Sequence, residues 1–169
     1  LTHKIPRAWN DLEAQIRRSR PRKLILSSEM LFSVLVFDTN NLLRDRLLSL
    51  SRDIRLVAYF RRPSHYYLSH AQEMVKYSSA LPRPGPMNIR QHVELWERSM
   101  NCSLTAVCYD RSELIGGDVT TDFLHRVLDE DERAGLDVPR ITSNESISAE
   151  AMEILQDYKR IIHPDSGDE

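Results

Sequence analysis

IRLVAYFRRPSHYYLSHAQEMVK, residues 54–76, places a strand signal and a helix signal back to back. Residues 54–60 form a short, mostly apolar run rich in β-branched and aromatic side chains, which predicts a buried strand. Arg61, Arg62 and Pro63 end it. Proline's fixed φ and missing N–H suit the first turn of a helix, and residues 64–77 carry helical periodicity. The two arginines therefore fall where the carboxyl end of a strand meets the amino end of a helix. Open α/β sheets bind ligands at that edge. A helix N-terminus adds free N–H groups and the positive end of its dipole. Arg61 can pair an oxyanion through its planar fork, and Ser69 on the second helical turn supplies a hydroxyl. The spacing predicts a phosphate or sulfate site. The plainer reading of the same residues is a solvated arginine and an ordinary helical serine.

Upstream of this stretch, residues 6–18 read as a helix with Trp9, Leu12 and Ile16 on one face. Residues 23–26, KLIL, predict another strand, followed by Ser27, Ser28 and Glu29 at its ligand edge. These three could equally cap a turn. A helix starting at Asp38 or Thr39 should run to about Ser51, with Leu42, Leu43, Leu47 and Leu50 as its buried stripe.

Downstream, residues 78–87 hold three prolines and a glycine and predict an irregular loop, the most lid-like segment of the chain. Asn88 opens a helix with Ile89, Val93, Trp96 and Met100 on one face. Residues 104–109 predict a strand. Gly116 and Gly117 form a turn before a helix with Val119, Phe123 and Val127 inward. They lack the Lys-Ser/Thr of a nucleotide cradle. Residues 129–132 read as a solvated acidic run. Ser148 should cap a last helix to about Ile161, with Ala151, Leu155 and Tyr158 inward. Alternating helices and strands predict an α/β domain around a parallel sheet with right-handed crossovers.

The 169 residues are 41% hydrophobic and 28% charged, the balance of one globular domain with a real core. Residues 1–109 carry seventeen basic and nine acidic residues, while residues 110–169 carry six and sixteen. Nineteen of the basic residues are arginine, the side chain suited to anions. They are scattered rather than interleaved with aromatics, which favours a small anionic ligand over nucleic acid. Cys102 and Cys108 give no metal spacing and no disulfide framework, and they are expected on one face of one strand. His65 and His70 lie five apart, off a shared helical face, so a metal pair is not expected. No apolar run is long enough to span a membrane. The chain begins at Leu1 directly on a helical pattern, and we expect it to be a piece of a longer protein.

Four blocks together resemble the sulfotransferase family that uses 3′-phosphoadenosine-5′-phosphosulfate (PAPS), most narrowly its bacterial, carbohydrate-type members. They are LILSSE at 24–29, VAYFRRPSHYYLSHAQEMVK at 57–76, the YD…GGDVTTDFL run at 109–124, and NESISAEAMEIL at 144–155. The likeness extends over nearly all of the chain, and the second block is its most specific part. Family members place an arginine at the strand end and a serine eight residues later, both on the nucleotide 3′-phosphate. Arg61 and Ser69 have that spacing, and Arg62 is the weaker alternative. The family's base follows the strand matching residues 23–26, which puts Glu29 in that role. The family's Lys-Thr-Gly-Thr-Thr type of phosphosulfate loop does not occur in this sequence.

The resemblance implies a three-layer α/β fold of the P-loop nucleoside triphosphate hydrolase type, incomplete at its N-terminus, with residues 1–169 as one domain. It implies in-line sulfuryl transfer from PAPS, with no metal, to an acceptor hydroxyl such as one on a carbohydrate. It also implies a cytoplasmic setting. Two alternatives stand beside it: another P-loop-like transferase such as a small-molecule kinase, and a non-catalytic relative that uses the fold for binding.

Overall fold

A computed structural model of the chain describes residues 4–28, 31–32, 42–85, 87–138 and 147–162. Glu29 and the opening of the expected helix at 38–41 lie outside the described residues. In order, the elements are α1 (Lys4–Ser19), α2 (Leu42–Leu50), β1 (Leu56–Phe60), α3 (Pro63–Met74), α4 (Ile89–Met100), β2 (Leu104–Cys108), a 3₁₀ turn (Ile115–Gly117), α5 (Val119–Val127), α6 (Glu130–Ala134) and α7 (Ala149–Ile162). The strands β1 and β2 pair as a two-stranded parallel sheet. A parallel pair needs a long crossover, and α3 and α4 lie within it.

The expected strand at 23–26 is absent. Those residues form no strand, and Leu24, Ile25 and Leu26 are exposed. A strand exists only through its ladder partner, and an apolar run alone does not supply one.

Two compact units divide the chain, and the division falls within both strands. One holds residues 1–58 and 88–105, the other 59–87 and 106–169. The first is centred on α4. Its apolar face buries Trp96 and Met100, and Leu43, Leu47, Leu48, Ile54 and Leu104 pack on them. Burying a large apolar side chain stabilises by about 1.5–3 kcal/mol, so this pair is a substantial part of the unit's core. The Trp96 indole N–H donates to the Phe32 carbonyl at 3.1 Å, and the Arg44 Nε donates to the Ser99 carbonyl at 2.9 Å. Asn101 ends α4 in the left-handed region, at φ 51°. The α2 stripe differs from expectation at one end. Leu42 is exposed, and Leu48 joins the core in its place. In α1, Trp9, Leu12 and Ile16 are half-buried as the periodicity predicts. Cys102 lies before β2 rather than in it and packs on the α4 core.

The second unit buries Ala71, Val75, Val107 and Leu114. Asp118 caps α5 by accepting from the Thr121 N–H at 2.8 Å. The residues 129–132 do more than face solvent: Asp129 and Glu132 form a reciprocal capping box on α6. Ser148 caps α7, accepting from the Ala151 N–H at 3.2 Å. Ala151 and Leu155 are half-buried, but Tyr158 is exposed, not inward. The loop at 78–87 is anchored at its start. Ser78 and Ser79 are buried, and the Gln156 amide donates to the Ser79 carbonyl at 2.9 Å. Any lid motion of this loop must begin after these residues.

Candidate functional site at the β1–α3 junction

Everything in this site belongs to the second unit. The chain leaves β1 at Phe60, and Arg61 and Arg62 precede Pro63, the first residue of α3. Arg62 is the N-cap, and no side chain caps the helix there. A helix leaves its first N–H groups without intrahelical partners.

Arg61 and Ser69 come together. The Arg61 Nη1 donates to the Ser69 Oγ at 2.8 Å, across the first two turns of α3. The guanidinium also stacks over the Tyr109 ring, 4.8 Å from its centroid. Tyr109 follows β2, and its N–H donates to the Phe60 carbonyl at 2.8 Å. Strand pairing thus carries the aromatic ring to the arginine. Both contacts of Arg61 are to neutral groups, and among the described residues it pairs with no carboxylate. The Ser69 hydroxyl accepts from Arg61, which leaves its own proton to donate.

Arg62 is differently placed. Its Nη2 lies 3.1 Å from Asp110 and 3.9 Å from Glu113. The Asp110 carboxyl is held below its ordinary range, first by the Ser112 hydroxyl and N–H and further by Arg62. The adjacent arginines therefore differ in free charge: Arg62 is matched by acids, and Arg61 by none among the described residues.

The Gln72 amide donates to the Ile147 carbonyl at 3.0 Å, and Lys76 pairs with Glu73. His70 stacks with Tyr66 at 6.0 Å between centroids. Among the described residues no three His, Cys, Asp or Glu side chains are grouped to hold a metal. No described helix is long and apolar enough to cross a membrane.

Sequence reasoning missed the most deeply buried polar cluster of the unit. Asp122 on α5 is fully buried. The Tyr59 hydroxyl donates to it at 2.7 Å, the Ile115 N–H at 3.1 Å, and Arg126 through both Nε and Nη2, the latter at 3.1 Å. The Arg126 guanidinium, with Tyr59 and the Ile115 N–H, holds the Asp122 carboxyl far below the usual range. Burial, together with the hydrogen bond and charge of Asp122, pushes the Tyr59 phenol up to about 12. The available signal was the Asp-Arg pair four apart on a helix, but its burial depends on Tyr59, 63 residues away.

An open groove of about 500 Å³ runs along α3 where α7 faces it, lined by Tyr67, Leu68, Ala71, Leu81, Met152 and Gln156 among others. At 100° per residue, Tyr67 and Ala71 lie about 200° around α3 from Ser69. The groove and the arginine–serine pair thus occupy opposite sides of one helix.

Compared with protein-family models, curated proteins and solved structures, the chain has no match.

Proposed function

We propose that this chain is a PAPS-dependent sulfotransferase-like protein whose β1–α3 junction holds the 3′-phosphate of the nucleotide. The observation that carries the reading is the Arg61–Ser69 pair, joined at 2.8 Å beside the amino end of α3 with no carboxylate on the arginine among the described residues. An arginine with an unmatched charge, a hydroxyl with a free proton and uncapped helix N–H groups are the donor set a phosphate dianion needs. The Tyr109 ring lies against the guanidinium from one side, which restricts the arginine before a ligand arrives. The four sequence blocks that resemble the family supply the rest of the reading.

In this reading PAPS is a substrate and donates the sulfuryl group. Arg61 and Ser69 position the nucleotide and do not touch the reacting sulfur. Glu29, by its place after residues 23–26, is the base that takes the acceptor's hydroxyl proton. Cationic donors stabilise the charge that develops on the leaving phosphate. A carbohydrate hydroxyl is the acceptor class of the branch the sequence resembles, and the three-layer P-loop type of fold is the architecture it implies.

Titration calorimetry of the chain with adenosine 3′,5′-bisphosphate tests the proposal. Charge-assisted hydrogen bonds are worth about 1.5–3 kcal/mol each, and about 1.4 kcal/mol is a factor of ten. Arg61→Ala should weaken binding roughly ten- to a hundredfold. Equal affinity for wild type and variant, or no binding to a folded wild-type chain, overturns it.

A further inference from the structure

The outer face of α7 carries an apolar surface that the proposed nucleotide site does not use. Ile154 is 68% exposed and Ile161 is 75% exposed. They are seven residues apart, so they share one side of the helix two turns from each other. Ile162, at 53%, widens the patch at its carboxyl end. Isolated exposed apolar residues need no explanation, but contiguous ones on one face mark a contact surface.

The charges around this stripe select the occupant. Glu153, Asp157 and Arg160 run along one flank, all on the described surface of α7. We propose that α7 docks against α7 of a second copy of this chain, antiparallel, about a two-fold axis between Asp157 and Tyr158. A two-fold contact uses the same patch on both copies. In this register Ile154 of one copy meets Ile161 of the other, and the exchange is reciprocal. Arg160 then falls between Glu153 and Asp157 of its counterpart, about half a turn from each. A parallel two-fold would instead leave the two charged flanks on opposite sides of the seam, where Arg160 meets neither acid of its counterpart. Within one chain Arg160 bonds Asp157 at 3.1 Å through Nη1 only, and the remaining guanidinium N–H groups can serve the second copy. Antiparallel alignment also opposes the two helix dipoles. The surface is small for a stable interface, so the dimer should be reversible and concentration-dependent.

Sedimentation velocity over a roughly hundredfold concentration range reads the equilibrium directly. The wild-type chain should shift from monomer to dimer. Ile154→Lys and Ile161→Asp should each leave it monomeric, with far-UV circular dichroism confirming that α7 remains helical. Arg160→Glu should weaken association at least tenfold, because it sets acid against acid. Adding Glu153→Arg and Asp157→Arg to Arg160→Glu should restore it. A wild-type chain that stays monomeric throughout overturns the proposal. So does a dimer indifferent to Ile154→Lys, a dimer that Arg160→Glu leaves intact, or a triple variant that does not recover. Co-sedimentation of a monomeric wild type with phosphatidylcholine vesicles would assign the patch to a lipid surface and likewise overturn it.

Discussion

Two arginines in the second unit each meet a hydroxyl-bearing partner, yet they do opposite work. Arg126 is bound to a fully buried carboxylate that is further satisfied by Tyr59 and the Ile115 N–H. Every charge in that cluster is matched. Arg61 is exposed and, among the described residues, holds only the Ser69 hydroxyl and the Tyr109 ring. A saturated cluster fixes the fold and has nothing left to offer a ligand. An unsaturated one adds little stability and retains its charge for an anion. The difference lies in what surrounds the guanidinium rather than in the residue.

The contrast breaks most sharply at Arg126. Arg126→Ala leaves the Asp122 carboxylate buried without its cation, which typically destabilises by about 3–5 kcal/mol. Urea unfolding near neutral pH measures this, and bisphosphate affinity should not follow it. At Arg61 the pattern inverts. Arg61→Ala should change urea stability by less than about 1 kcal/mol, as for exposed polar contacts, while weakening the bisphosphate roughly ten- to a hundredfold. If Arg61→Ala instead unfolds the chain, the two regions are the same kind of structure and the functional reading falls.

Titration sharpens the comparison further. The Asp122 pKa is depressed on folding, so its contribution is present above the unfolded value of about 3.9 and fades as pH falls through and below it. Tyr59 behaves in the opposite sense. Its folded pKa is raised from 10.0 to about 12, so its contribution is complete below pH 10 and is lost as pH rises between those values. Tyr59→Phe should remove that alkaline slope from the stability curve, and an unchanged slope would detach Tyr59 from the cluster. The smallest expected effect is at Ser69. Ser69→Ala removes one neutral donor, worth about 0.5–1.5 kcal/mol, so bisphosphate should weaken by about two- to tenfold. An effect larger than that of Arg61→Ala would reverse their roles.

The β1–α3 junction was legible because its signals are local. An apolar β-branched run, a proline at N1 and an eight-residue arginine–serine spacing lie within one stretch, and the chain there needs no distant partner to be read. Residues 23–26 look equally strand-like in composition, but a strand requires a neighbour, and the sequence does not name one. Asp122 was illegible for a related reason. An acid on a helix reads as solvated until Tyr59, far away in the chain, is known to cover it. Tyr158 misled in the other direction, since helical periodicity shows which residues share a face and not which face is buried. Leu42 shows the same ambiguity at the start of α2, where the stripe continues but its cover does not.

The parallel pairing of β1 with β2 has a kinetic corollary. Nothing local brings the strands together: the chain from Phe60 to Leu104 must close on itself first. Chain closure over such a span has an entropic penalty of about 3 kcal/mol, paid before any ladder bond is gained. The helices α3 and α4 within that span can form on a far shorter timescale. Strand docking should accordingly lie at or after the folding transition state, with the crossover helices ordered ahead of it. In a pulsed hydrogen-exchange experiment the α4 amides would gain protection before those of β2. The phosphate-facing geometry at Arg61, which depends on Tyr109 arriving with β2, would be among the last features of the molecule to assemble.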